Sequence, residues 1–459
     1  MRERIIETLK KENVFLTGPG GSGKSYLTEQ VIYHYKKNGL NVVVLGSTGI
    51  AASNIGGQTI HSFFKIGLSN SIQSYDRFLK TMKPEIRLGI QNKLNKFIPY
   101  IDLIIIDEIS MVSNDLMDLI YLILEDYNYK GKVMVVGDFY QLPPVVKNNE
   151  IKNYAFESKS WNELFKFRKI ELTKIFRTKD IKFIEILNEI RTGKINNETI
   201  KYLEDLGTNK HLLKSKTPTI LAGTNKLVNE YNKLKLSKIN SPLHTYNWKL
   251  KMYPEGFDEQ SINNWKNKNK QKIFNFCKNL MCSEELNIKV GCSIMFITNG
   301  DRWYNGEKGR VISIREDLKT IDECDEKFGV YDNNEIVREC LFIEKENGEI
   351  IELFKNKWEF NEYEINGNTI NKKLIATVTQ YPIKLSYAIT IHKSQGMSID
   401  NLICDVNKIF EVHQFYVSIS RAVNPKNLYL YYKGDNLNKH LHNICIIDNK
   451  VREFYENVN

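Results

Sequence analysis

The chain has 459 residues, 42% hydrophobic and 26% charged, with a formal net charge of +10. That length exceeds what one hydrophobic core organises, so two or more domains are expected. With no apolar run near the ~20 residues that cross a bilayer, a membrane-spanning helix is not expected.

The excess of positive charge suits a polyanionic partner, and equally suits a solvated lysine-rich surface. The first residues mix both charge signs without the apolar core of a secretory signal, so export is not expected. Seven cysteines without a CxxC pair fit reduced thiols in a cytoplasmic protein, and the scattered histidines give no zinc-ligand spacing.

From residue 13 to about 172, short apolar runs alternate with amphipathic stretches. The runs Val14-Phe15-Leu16, Val42-Val43-Val44-Leu45, Leu103-Ile104-Ile105-Ile106 and Val133-Met134-Val135-Val136 are those of a parallel sheet covered on both faces. Residues 1–172 are therefore read as a first α/β domain, with a small insertion at about 67–100.

Directly after the first run comes Gly18-Pro19-Gly20-Gly21-Ser22-Gly23-Lys24-Ser25, a complete phosphate-loop pattern between a strand and a helix. Glycines let backbone N–H groups curl around a β-phosphate at a helix N-terminus. Lys24 reaches the β- and γ-phosphates, and Ser25 is the Mg²⁺ ligand.

The run ending Ile106-Asp107-Glu108 puts two carboxylates at a strand end beside that loop. Asp107 suits the Mg²⁺ shell, and Glu108 suits activation of the attacking water, unless it only caps the following helix. The next strand ends in Gly137-Asp138-Phe139-Tyr140-Gln141-Leu142-Pro143-Pro144, where Gln141 can touch a γ-phosphate or its water, unless it is only an ordinary polar loop residue.

Helical patterns follow at 180–191 and 224–235, and apolar runs recur at Pro218–Leu221, Leu402–Cys404 and Leu428–Tyr431. These give a second α/β domain, 173–284 and 384–459. Between them, 285–383 reads as short strands with hairpin signals at Asn305-Gly306, Asn347-Gly348 and Asn366-Gly367, an inserted β-rich barrel. The stretch 245–280 gives mixed signals.

Further segments are Ser47-Thr48-Gly49-Ile50-Ala51-Ala52, Gly57-Gln58-Thr59-Ile60-His61-Ser62-Phe63, Phe176-Arg177, Tyr387-Ala388-Ile389-Thr390-Ile391-His392-Lys393-Ser394-Gln395-Gly396 and Tyr416-Val417-Ser418-Ile419-Ser420-Arg421-Ala422. With the phosphate loop and the two strand-end motifs, in this order over most of the chain, they resemble the PIF-type DNA helicases (petite integration frequency) of superfamily 1, relatives of the RecD and Dda helicases.

The resemblance implies two RecA-like P-loop domains with parallel sheets and ATP between them, a small β-barrel inserted in the second, and single-stranded DNA crossing both. It implies that Arg177 and Arg421 meet the γ-phosphate, where a guanidinium stabilises transition-state charge, and that Gly396 lies on the nucleotide. Thr48, His61, Ser62, Phe63, His392, Lys393 and Ser394 fall in its strand-binding motifs, although core packing competes for Phe63 or Phe64.

The implied activity is ATP- and Mg²⁺-dependent 5′-to-3′ translocation that unwinds tailed or forked duplex DNA, by a monomer with no membrane role, in replication, recombination or repair. Two departures stand out. No glutamine precedes Gly18 to match the family's adenine-reading residue, and Tyr127–Lys132 lacks the Pro-Phe-Gly-Gly element of many members. The rival readings are an ATP-switched nucleic-acid binder or loader that separates no strands, and a P-loop kinase or metabolic ATPase indifferent to DNA.

Overall fold

The computed structural model describes residues 1–47, 52, 57–145, 151–209, 218–255, 258–319, 336–366 and 369–457. The first apolar runs form strands β1 (Val14–Thr17), β2 (Val42–Gly46), β3 (Gln58–Thr59), β4 (Leu103–Asp107), β5 (Lys132–Val136) and β6 (Arg168–Glu171). All pair in parallel, in the order β3-β2-β4-β5-β1-β6.

Alternate residues feed two cores, as a sheet covered on both faces requires. Val14 and Leu16 of β1 face Ile5, Ile6 and Leu9 of the first helix, whereas Phe15 faces Phe139, Trp161 and Phe454. The 67–100 stretch forms two helices, Ile72–Thr81 and Pro84–Phe97, that lay Tyr75, Leu94 and Phe97 on the second of these cores.

In the second lobe, β7 (Thr219–Ala222) is separated from its sheet partners by a long excursion of antiparallel strands. These are β8 (His244–Asn247), β9 (Lys249–Met252), β10 (Glu285–Ile288), β11 (Ser293–Phe296), β12 (Lys308–Lys319), β13 (Ile336–Lys345), β14 (Ile350–Leu353), β15 (Asn356–Asn366), β16 (Thr369–Gln380) and β17 (Ile383–Leu385). The chain then returns with β18 (Ala388–Thr390), β19 (Leu402–Asp405) and β20 (Leu428–Tyr431), giving the parallel order β18-β7-β19-β20.

The excursion builds a five-stranded sheet, β14-β13-β12-β11-β17, a β10-β8 pair and a three-stranded sheet, β15-β16-β9. It therefore draws in chain ahead of residue 285. β8 and β9 lie in its sheets, and the helix Glu259–Asn279 packs Trp265 and Ile273 against Ile375 and Ala376. Asn347-Gly348 makes the β13–β14 turn with Gly348 at φ +84°, and Gly367 of the Asn366-Gly367 signal lies outside the described residues.

Two long-range contacts tie the pieces together. The β15–β16 hairpin crosses to the first lobe, where Gln58 Nε2 donates to the Asn361 carbonyl at 2.7 Å and Glu362 meets Lys65, Lys93 and Lys272 at 3.3, 3.4 and 2.8 Å. Against the cost of burial, those lysines hold the Glu362 carboxyl well below the usual carboxylate range. The last helix, Asn449–Asn457, follows the second lobe in sequence yet packs into the first, with Phe454 stacked on Phe156 at 4.3 Å.

Candidate nucleotide and DNA site

β1 leads straight into the phosphate loop, and the helix Lys24–Lys37 starts at Gly23 in a left-handed conformation, φ +87°. At Gly18 an added Cβ would sit 2.4 Å from the Leu172 carbonyl oxygen, so the close approach to β6 needs glycine there. Lys24 Nζ donates to the carbonyls of Gly18 and Pro19 at 2.7 and 3.1 Å, closing the loop on itself. Burial pulls the Lys24 ammonium below its ordinary value, opposed by Asp138, Glu108 and Asp107.

Ser22 is buried and its Oγ has no hydrogen-bond partner. It lies within the phosphate loop, 3.1 Å from where a Cβ on Gly18 would sit, and a bound phosphate is the kind of acceptor that satisfies such a group. Ser25 lies at the first turn of the helix with its side chain exposed.

Asp107 ends β4 and accepts from the Glu108 N–H at 2.9 Å. Glu108 takes φ +52°, a strained conformation for a residue with a Cβ, of the kind that collects at active sites. Burial, followed by the Asp107 charge, pushes Glu108 up to about 7, and burial raises Asp107 as well. A carboxylate tuned near neutrality suits a general base.

The second lobe supplies the other wall. A Cβ on Gly20 would lie 3.2 Å from Arg421 Nη2 and 3.4 Å from Arg177 Nη1, so both guanidinium groups press on the phosphate loop. Arg177 donates to Ser398 Oγ at 3.0 Å, the Ser420 carbonyl at 2.7 Å and the Gly396 carbonyl at 3.4 Å. Arg421, 1% exposed, donates to the Val417 carbonyl at 2.9 Å and Ser420 Oγ at 3.0 Å.

Among the described residues neither arginine forms an ion pair. Two adjacent cations held only by neutral acceptors make a site for an anion. Burial and the neighbouring Arg421 pull Arg177 down to about 9, and burial lowers Arg421 as well, against the opposing pull of Tyr416, Glu108 and Asp138. Tyr416 completes the contact, its phenol oxygen accepting from the Gly20 N–H at 3.1 Å.

A family model described as PIF1-like helicase matches residues 2–201, and a second, described as Helicase, matches 339–450. Over 469 aligned residues the chain is 37% identical to the ATP-dependent DNA helicase Pif1 of Campylobacter jejuni, covering 100% of this chain and 98% of that protein. The chain belongs to the PIF1-like helicase family.

A solved structure of Bacteroides Pif1 in complex with ADP-AlF4 is 27% identical and matches 99% of this chain and 95% of that one, with a TM-score of 0.76. The Bacteroides Pif1 complex with ADP-AlF3 and ssDNA matches 99% and 96% at 28% identity, with a TM-score of 0.58. The two parallel-sheet lobes of this PIF1-like helicase are its RecA-like domains, and the antiparallel strands are an added β region.

The residues expected at the DNA divide in four. His61, part-exposed in the short helix Ile60–Phe64 with a ring nitrogen 2.8 Å from Asn70 Oδ1, and His392 and Lys393, exposed on the 3-10 turn His392–Ser394, remain accessible. Ser62 uses its N–H, which donates to Thr59 Oγ1, to start the helix Ile60–Phe64. Thr48 lies outside the described residues.

Phe63 and Ser394 depart from expectation because both point inward. Phe63 is 6% exposed and packs edge-on against Phe64 and Tyr363, which leaves no ring face for a base. Ser394 is fully buried, its hydroxyl donating to the Ile391 carbonyl at 2.7 Å while its own carbonyl faces Arg421 at 3.5 Å. Its hydroxyl is committed to the main chain.

Other groups of the PIF1-like site carry no signal in the linear motifs. Tyr416 sits inside a motif without a charge to mark it. Lys384 and Lys393 line a groove of about 490 Å³ with Asn225, Asn229, Asn232 and Thr390, between the second lobe and the β region. Burial and the Lys393 charge pull Lys384 down to about 7. Only the fold brings β17 beside the loop after β18.

Proposed function

We propose that this ATP-dependent DNA helicase couples one ATP, clamped between its lobes, to stepwise movement along a single strand. The observation that carries the reading is the pair of second-lobe guanidinium groups, Arg177 and Arg421, pressed onto the first lobe's phosphate loop with no carboxylate ion-paired to either among the described residues.

In the proposed cycle Lys24 and the loop amides hold the β- and γ-phosphates, with the Ser22 hydroxyl added to that cradle. Ser25 and Asp107 would hold a Mg²⁺ ion, whose charge would screen the phosphates when bound. Glu108 takes the proton of the attacking water, Gln141 orients it, and Arg177 and Arg421 stabilise the charge on the leaving groups. Loss of the γ-phosphate leaves the two cations opposed, and the cleft loosens.

DNA enters along the two lobes and the β region. His61 on the first lobe, His392 and Lys393 on the second, and the part-buried Lys384 on β17 of the β region offer donors and positive charge to a phosphate backbone without reading sequence. Alternate closing and opening then moves one lobe past the other. We assign the direction 5′ to 3′, the substrate as tailed or forked duplex, and the working unit as a monomer in the cytoplasm.

The test is ATP hydrolysis with and without single-stranded DNA, followed by strand separation on duplexes carrying a 5′ or a 3′ tail. Stimulated hydrolysis with product from the 5′-tailed duplex supports the reading. Binding without product favours an ATP-switched loader, and hydrolysis indifferent to DNA rules out the coupling.

A further inference from the structure

Asp138, which the hydrolysis scheme does not use, is fully buried beside the phosphate loop. Its carboxylate accepts from Arg191 of the second lobe at two points, Nε at 3.0 Å and Nη2 at 2.9 Å, and from the Tyr140 N–H at 3.2 Å. Arg191 is itself only 6% exposed. A two-pronged pair of this kind, sealed from water, fixes geometry between the lobes.

A third party reaches this pair from the end of the chain. Tyr455, on the helix Asn449–Asn457, places its hydroxyl 2.8 Å from Thr17 Oγ1, 3.2 Å from the Phe139 N–H and 3.4 Å from Asp138 Oδ1. The donors and acceptors balance: the phenol oxygen accepts from Thr17 and Phe139 and donates its one proton to Asp138. Burial keeps that phenol neutral by raising it well above its ordinary value. Its ring stacks on Tyr140 at 4.8 Å, and the Arg191 guanidinium lies 4.8 Å from the Tyr140 ring and 5.6 Å from that of Tyr455.

The three groups that the hydroxyl touches have different duties. Thr17 is the last residue of β1 and immediately precedes Gly18, so it sets where the phosphate loop begins. Phe139 and Asp138 open the segment that carries Gln141, whose N–H donates to the Asp138 carbonyl at 2.8 Å. Through Asp138 the hydroxyl is also joined to Arg191 on the helix Ile181–Thr192.

We propose that Tyr455 is a positioning residue for ATP hydrolysis, its hydroxyl keying the Gln141 segment to the phosphate loop and to the Asp138–Arg191 link between the lobes. This rests on the reading of the cleft as the ATP site. A phenylalanine there keeps the stacking and the packing but orphans Thr17 Oγ1 and the Phe139 N–H. The loop then drifts relative to the phosphates, and displacements of ~1 Å can cost on the order of 10²-fold in rate.

Tyr455→Phe and Phe454→Leu, compared in the full chain, separate positioning from bracing. Phe454 belongs to the same helix but has no polar side-chain atom, and its ring packs against those of Phe15, Phe139, Phe156, Trp161 and Tyr455. Tyr455→Phe is expected to lower kcat of DNA-stimulated hydrolysis about tenfold with KM for ATP within about twofold. Phe454→Leu is expected to lower the melting temperature and leave kcat at wild-type level below the transition.

Wild-type kcat in Tyr455→Phe overturns the proposal, as does an equal loss of kcat in both variants, which marks the helix as a brace only. Failure of the underlying reading is seen separately, as a wild-type protein whose hydrolysis ignores DNA.

Discussion

Arg177 donates through Nη1 to the carbonyl oxygen of Ser420, 2.7 Å away, while the hydroxyl of the same serine accepts from Arg421 Nη2 at 3.0 Å. One residue thus holds two guanidinium groups together, and no carboxylate among the described residues pairs with either. Such crowding of like charge is costly by itself and becomes favourable when a polyphosphate arrives.

Substitution of Lys24 by Ala removes the ammonium that the loop folds around. Hydrolysis is expected to fall at least about 10²-fold, the scale seen when one transition-state donor is lost, with salt-sensitive binding of single-stranded DNA largely retained. Fluorescence anisotropy of a labelled oligonucleotide, beside a phosphate-release assay, checks both halves.

The rate should follow the ionisation of Glu108. Its carboxyl, raised to about 7, is protonated and unable to take a proton below that pH, and ionised above it. Accordingly kcat/KM for ATP is expected to climb as pH rises through about 7 and then level. Glu108→Gln removes that limb and lowers kcat while nucleotide binding persists; a pH profile with the same limb in the variant assigns the ionisation elsewhere.

DNA affinity should carry its own pH dependence, of opposite sense. Lys384, pulled down to about 7, is charged below that pH and neutral above it, and a phosphate in the groove draws its value back up. Binding then takes up a proton above pH 7, so affinity for single-stranded DNA weakens as pH rises from 7 to 9. Lys384→Met should flatten this slope, measured by anisotropy at fixed ionic strength.

Arg191→Met leaves Asp138 buried without its partner. A loss of about 3–5 kcal/mol is expected from an uncompensated buried charge, read as a fall in melting temperature that is larger than for an exposed control such as Arg2→Met. An unchanged transition means that the pair is not sealed from water.

Much of this was legible from local sequence, and the remainder was not for a physical reason. The phosphate loop, Asp107-Glu108 and the strand runs are each written in a few consecutive residues, since glycines, β-branched runs and helix starts act locally. The Asp138–Tyr455 contact spans 317 residues, and nothing near either residue signals the other. The helix Glu259–Asn279 has a weak sequence signal because Trp265 and Ile273 are its large buried groups among lysines and asparagines. Phe63 and Ser394 sit in strand-binding motifs, but the cores behind those loops claimed their side chains.

The most direct measurement is ATP turnover by wild-type protein and by Arg177→Ala, each with and without saturating single-stranded DNA. Strong stimulation in the wild type is expected, with a drop on the order of 10³-fold in the variant, which still binds a fluorescent ATP analogue. DNA-stimulated turnover by Arg177→Ala at the wild-type rate would contradict a site shared between the two lobes.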